Sequence, residues 1–324
     1  MNHIVYSLLT LATGYLHIMN SSKQRETLIG SLLAILAATA WGVSGNFSQL
    51  VFESYNVNLE WLVTIRLLIS GLILLIFSQI SGRKIFALWK DRRTALRLGT
   101  FGVIGMLGVQ YTYLAAIAAS NAATATILQY LGPLFITAYY AAKYKRLPTR
   151  IEATAVILAM LGTALLVTHG DLKTLAISNK ALILGLASAV TLAIYSIIPV
   201  PLLKNNDSTV VLGWGMIIGG IIISLFKSPF SSEAVWTFTS IASIGFIVLI
   251  GSLFAFFAYL TAVRFIGPTK ASLLACAEPL SASFVAVLWM DVKFDTSDWI
   301  GATLIICTIL ILSYNSNGTK AVEK

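Results

Sequence analysis

The chain has 324 residues, 57% hydrophobic and only 11% charged, with a mean hydropathy of +0.85. Ordinary soluble domains carry roughly 25% charged residues, so this composition cannot supply a polar skin, and it excludes a secreted domain, a disordered chain and a cytosolic enzyme. Lipid must solvate most of the surface. Apolar runs of about 20 residues favour membrane helices over the shorter alternating strands of a membrane barrel.

Residues 1–27 read as an N-terminal extension. Positions 4–18 are apolar but short, lack a basic start and carry His17, which makes a poor span and a poor signal peptide. Met19-Asn20 before the polar SSKQRET reads as an alternative natural start, and an interfacial segment is the other reading. Ten spans are then expected, near 28–47, 58–80, 95–118, 122–142, 151–168, 181–199, 209–226, 235–263, 269–290 and 299–313. The eighth is long enough to tilt or protrude. Residues 315–324 form a cytoplasmic tail. The expected fold class is an all-α integral membrane protein.

The net charge of +9 falls between the apolar runs, where it orients the chain in the membrane rather than binding nucleic acid. With both ends of the ten-span core in the cytoplasm, 17 of the 22 Lys and Arg face inward. Six of these, Arg83, Lys84, Lys90, Arg92, Arg93 and Arg97, separate the second and third spans. Lys173, Lys180, Lys227 and Lys293 face outward, and Arg66 is intramembrane. That bias places a multi-pass protein in the cytoplasmic membrane with both core termini inside. Cys276 and Cys307 lie in apolar runs without metal-site spacing and read as reduced packing residues.

The chain also repeats itself. Residues 113–134, YLAAIAASNAATATILQYLGPL, align with 259–280, YLTAVRFIGPTKASLLACAEPL, at a constant offset of 146. Tyr113 meets Tyr259, Pro133 meets Pro279, and Glu152 meets Asp298. The halves 28–169 and 179–314 would each hold five spans. Five is odd, so the second copy enters the membrane inverted, with a cavity between halves that can open to either side.

Ala40-Trp41-Gly42 at the first span, Arg66-Leu67-Leu68 in the second, and proline-centred fourth and ninth spans resemble the EamA family of the drug/metabolite transporter superfamily. The resemblance covers residues 28–313 and makes the two halves EamA repeats. It implies export of amino acids or other small metabolites through a central cavity, with membrane lipid and a small-molecule substrate as partners and no cofactor. The family often has an acid at the end of the fourth span, where this chain has Tyr144-Lys145-Arg146. The equivalent position in the second half is Asp291, which fits. No role of a first-half acid carries over.

Glu278, near the middle of the ninth span, is the leading candidate for chemistry. A charged carboxylate there costs roughly 2.5–3.5 kcal/mol, which demands a partner, water or a proton. Pro279 frees a backbone carbonyl one turn earlier and adds a second polar group. Glu278 is either a proton- or cation-binding group or a static acid pinning its helix. Arg66 would snorkel outward, pair with Glu60 or Glu53, or present a fork to a substrate carboxylate. Lys270 reads as an ordinary orienting charge. Trp41, Tyr130 and Tyr195 sit away from the expected interfaces or beside polar neighbours and either line a cavity or, as the commoner role, pack; Asn46, Gln110 and Gln129, with Gln49, are uncharged polar candidates for the same lining. Tyr111, Tyr113, Trp214 and Tyr259 recur in the same central spans and read first as packing. His3, His17 and His169 are too scattered for a metal site, and enzyme motifs are absent. A secondary transporter is the leading reading, with a passive channel or facilitator for small polar solutes as the alternative.

Overall fold

The computed structural model describes residues 22–120, 122–174, 178–281 and 295–314, so the expectations for residues 1–21, for the end of the ninth span beyond 281, for Asp291 and Lys293, and for the tail at 315–324 lie outside the described residues. Among the described residues every regular element is a helix. Helix α1 spans Ser22–Ser54, α2 Leu59–Ile80 and α3 Arg92–Ala119. The fourth expected span is broken into α4 (Ala122–Gln129) and α5 (Gly132–Lys143). Then come α6 (Arg150–Thr168), α7 (Asn179–Ile197), the short α8 (Val200–Asn205), α9 (Ser208–Ser224), α10 (Phe238–Ile266), α11 (Pro268–Leu274) and α12 (Thr296–Tyr314).

Among the described residues six helices are long and apolar enough to cross a membrane on their own: α1, α2, α3, α6, the α7–α8 run and α10. Helices α9 and α12 are apolar but shorter. The fourth and ninth expected spans are interrupted, the fourth at Tyr130-Leu131 and the ninth at Ala275-Cys276, with helix resuming over 277–281. Each break lies just before a proline, Pro133 or Pro279. A proline cannot donate to the carbonyl four residues back, so the chain leaves the helix there.

Polar side chains set the helix starts. Asn58 accepts the Trp61 N–H at 2.9 Å to begin α2. Asp91 accepts the Thr94 N–H at 2.8 Å to begin α3, and that hydrogen bond holds its carboxyl below the ordinary value. Glu152 and Asp298 stand at the third position of α6 and α12 and accept the backbone N–H of Thr149 and Asp295, both at 2.8 Å. Each acid also holds a base. Arg146 grips Glu152 with both guanidinium arms at 2.8 and 2.9 Å, and His169 Nδ1 lies 2.9 Å from Asp298.

Helix α2 packs on α9, α6 on α12, α1 on α10 and α3 on α7. Small residues permit the close crossings, as is usual where lipid offers no hydrophobic drive. A Cβ on Gly162 would lie 2.9 Å from the Gly301 carbonyl oxygen, and one on Gly301 2.8 Å from that of Gly162. Neither crossing helix has room for a larger side chain. The opposite face of α2 exposes Ile69, Leu72, Ile73, Ile76 and Phe77, an i, i+3, i+4, i+7, i+8 stripe suited to lipid.

Two helices share an unusual interior. Helix α3 widens to a π-helix over Phe101–Leu107, and α10 does so over Leu249–Phe254. Gly105 and Gly251 sit in these segments and are separated by the repeat's own offset of 146.

Candidate functional site: a central cavity lined by Arg66 and Glu278

Helix α1 turns Trp41, Ser44, Gly45 and Ser48 toward the centre, an i, i+3, i+4, i+7 set on one face. Helix α3 presents Val109, Gln110, Tyr113 and Leu114 to the same space, and α2 presents Arg66. Gln129 and Tyr130 arrive from the α4–α5 break, Leu192 from α7, and Phe256 and Tyr259 from α10. Ser272, Ala275 and Glu278 complete the wall from the broken ninth helix. The cavity is about 50 Å³. A water needs roughly 10–15 Å³ of such space, so this conformation has room for a few waters.

Glu278 is only 6% exposed, and two phenols meet its carboxyl group. Tyr130 Oη lies 3.1 Å from Oε2, and Tyr113 Oη lies 3.4 Å from Oε1. Tyr113 is itself 3.1 Å from the Thr126 hydroxyl. The carbonyl freed by Pro279 is that of Ala275. It accepts the Glu278 N–H at 3.0 Å and the Tyr130 hydroxyl at 2.7 Å, so the α4–α5 break reaches across to the break in the ninth helix.

Arg66 is 5% exposed and neither snorkels nor pairs with Glu53 or Glu60. Its Nε donates to Ser252 Oγ at 2.7 Å, and Ser252 donates to the Ile247 carbonyl, five residues back, at 2.9 Å. Ser70 donates to the next carbonyl, Val248, at 3.1 Å. The π-segment of α10 disturbs the regular ladder, and these hydroxyls occupy the carbonyls there. Arg66 is therefore aimed by α10 and makes no ion pair among the described residues.

Two more polar groups face the cavity without satisfied partners. Gln110 is 3% exposed, and neither its amide oxygen nor its nitrogen has a hydrogen-bond partner among the described residues. The indole N–H of Trp41 is likewise unpartnered, while its ring meets Phe256 and Tyr259 at 5.0 and 5.2 Å.

Six sequence candidates thus meet at one cavity: Glu278, Arg66, Trp41, Gln110, Gln129 and Tyr130. Asn46 and Tyr195 do not line it. Asn46 follows Trp41 by five positions, which turns it about 140° away at 3.6 residues per turn. Tyr195 is fully buried one turn along α7 from Leu192. It donates to the Phe256 carbonyl at 3.2 Å and stacks with Phe101 and Tyr259, behind the wall rather than in it.

Lys270 is 5% exposed, because α11 is covered by its neighbours. Gln49 donates to Glu53 at 2.8 Å outside the cavity, and Trp214 donates to the Ile85 carbonyl at 2.7 Å beside Trp89. Tyr113 and Tyr259, expected to pack, are wall residues; Tyr259 also meets the Ser196 hydroxyl at 2.8 Å. Sequence reasoning missed Ser44, Ser48 and Ser272; a helical wheel anchored on Trp41 finds the first two. No cluster of three His, Cys, Asp or Glu able to hold a metal occurs among the described residues.

Comparison with known proteins agrees with this architecture. The family model described as EamA-like transporter family matches twice, over residues 28–168 and 179–314. The uncharacterized inner membrane transporter YicL of Salmonella typhimurium is 39% identical over 291 residues, covering 90% of this chain and 97% of that protein. The uncharacterized transporter YwfM of Bacillus subtilis is 23% identical, covering 91% and 97%. A solved crystal structure superposes with a TM-score of 0.72 at 17% identity, covering 89% of this chain and 96% of its own, a likeness of fold alone. With its apolar helices gathered around a central cavity, the chain belongs to the EamA-like transporter family and is a multi-pass membrane transporter.

Proposed function

We propose that this protein is a secondary transporter of the cytoplasmic membrane that exports amino acids or other small metabolites by alternating access. One observation carries the reading: Arg66 and Glu278 line the same cavity yet do not pair with each other. Opposite charges in a low-dielectric interior attract strongly. Ser252 holds one back and two tyrosines hold the other, which leaves a cavity with a positive and a negative side. An α-amino acid carries the complementary pair, a carboxylate for the Arg66 fork and an ammonium for Glu278. Gln110 and Trp41 add unfilled neutral hydrogen-bonding capacity. The cavity must widen beyond the conformation described to admit such a solute, as alternating access requires.

The inverted-repeat reading, with both core termini in the cytoplasm, rests on several pairings. The proline breaks, the π-segments and the third-position acids Glu152 and Asp298 all recur near the offset of 146. Exchanging the halves also turns the α1–α10 contact into the α7–α3 contact, and both exist. The test is uptake by proteoliposomes, screened over amino acids and cationic drugs with and without an imposed pH gradient. Gradient-driven accumulation of a zwitterionic amino acid is expected. Mere equilibration of solutes would instead mark a channel.

A further inference from the structure

We infer that Tyr130 is a positioning residue whose single hydroxyl hydrogen changes partner with the protonation of Glu278, so that the acid's state makes or breaks a bond between the two helix breaks. The inference rests on the reading of Glu278 as a group that gains and loses a proton.

A phenol has one hydrogen to donate and lone pairs to accept with. Tyr130 Oη faces two oxygens, the Ala275 carbonyl at 2.7 Å and Glu278 Oε2 at 3.1 Å. It cannot donate fully to both. When Glu278 is neutral, its own O–H donates to Tyr130 Oη, and the Tyr130 hydrogen goes to the Ala275 carbonyl. When Glu278 gives its proton to water in the cavity, the carboxylate is the stronger acceptor, since charge-assisted hydrogen bonds are about twice as strong as neutral ones. The Tyr130 hydrogen then turns to Oε2. Tyr130 keeps its hydrogen throughout; the only proton that leaves is that of Glu278.

The consequence is mechanical. Ala275 lost its regular partner to Pro279, so in the charged state its carbonyl keeps only the Glu278 N–H at 3.0 Å. The strap from the α4–α5 break to the carbonyl of the ninth helix exists only in the neutral state. Both ends are places where helix is already interrupted, at Tyr130-Leu131 and Ala275-Cys276, so a change of one bond acts where the backbone can bend.

The other groups facing Glu278 do not duplicate this role. Tyr113, from α3, lies 3.4 Å from Oε1, and its second neighbour is the Thr126 hydroxyl rather than a backbone carbonyl. Arg66, from α2, gives its Nε hydrogen to Ser252 and has no hydrogen bond to Glu278 among the described residues. Tyr259, from α10, is held by Ser196, and the Cys276 thiol by the Ser272 carbonyl at 3.7 Å.

Infrared difference spectroscopy of the full-length protein in lipid, recorded between acid and alkaline pH, tests this. In wild type a protonated-carboxyl band that Glu278→Gln removes should appear at acid pH together with an amide carbonyl change. Tyr130→Phe should keep the carboxyl band, move it to higher frequency because a hydrogen bond is lost, and abolish the accompanying amide change. Tyr113→Phe should leave the amide change in place. In the Glu278→Gln background, Tyr130→Phe should produce no further pH-dependent difference, which separates the relay from a general loss of packing. A carboxyl band that titrates in Tyr130→Phe at the wild-type frequency, with the amide change intact, overturns the relay alone. Absence of any band removed by Glu278→Gln overturns both the relay and the proton reading beneath it.

Discussion

Ser252→Ala isolates the contact that aims Arg66. The substitution removes one oxygen from a fully buried site and leaves the packing volume nearly unchanged. It deletes the acceptor 2.7 Å from Arg66 Nε and the donor 2.9 Å from the Ile247 carbonyl. Hydrogen bonds between membrane helices average about 0.6 kcal/mol and reach about 1.7. The Arg66 bond is charge-assisted and buried, so it belongs near the upper end, while the bond within α10 belongs near the mean. Together they predict a loss of about 2 kcal/mol, read from reversible unfolding in mixed micelles. Placing Ser252→Ala in an Arg66→Met background should recover most of that loss, giving a coupling of about 1.5 kcal/mol in the double-mutant cycle. A Ser252→Ala protein as stable as wild type, or a coupling near zero, would refute the claim that α10 positions Arg66.

Gly301→Val at the α6–α12 crossing should destabilise by roughly 1–3 kcal/mol through overpacking, because its Cβ meets the Gly162 carbonyl oxygen at 2.8 Å. Gly245→Ala meets nothing within 4 Å and should be no less stable in the same unfolding assay. Single-cysteine labelling of intact cells should modify position 173 and spare position 90; the reverse pattern would invert the proposed topology. Arg66→Lys should weaken amino-acid uptake because it loses the two-pronged geometry, and an unchanged KM would remove Arg66 from substrate recognition. Asp91 caps α3 as a carboxylate whose folded value is lowered, so its contribution is complete above the ordinary carboxylate range and is lost as pH falls through that lowered value. The protection factor of the Thr94 amide should fall on that acid limb and be low at neutral pH in Asp91→Ala.

Much of the bundle was legible in the sequence because apolar runs are bounded by strong signals. Asn58 and Asp91 mark helix starts, and Pro133 and Pro279 mark interruptions. The offset of 146 linked Glu152 with Asp298 before either was seen to fill the same place at a helix start. The π-segments were not legible, since no residue type demands one extra residue per turn, and glycines only permit it. Within the cavity, Glu278, Arg66 and Gln110 stood out because polar groups are expensive at that depth. Serines at 44, 48 and 272 did not, because a small hydroxyl can satisfy itself on its own helix, as Ser272 does on Thr269. Asn46 misled by composition alone, and counting round the helix from Trp41 turns it away from the centre. The burial of Lys270 was not legible, because a lysine near an expected span end carries no signal that its helix is covered by neighbours.

The most direct test of the account is amino-acid uptake by proteoliposomes holding wild type or Glu278→Gln under an imposed pH gradient. Wild type should accumulate substrate above equilibrium and lose that accumulation when a protonophore collapses the gradient. Glu278→Gln keeps shape and hydrogen bonding but cannot titrate, so it should exchange substrate without concentrating it. Concentrative uptake by Glu278→Gln equal to wild type, with the same pH dependence, would contradict the account and leave the acid a structural residue.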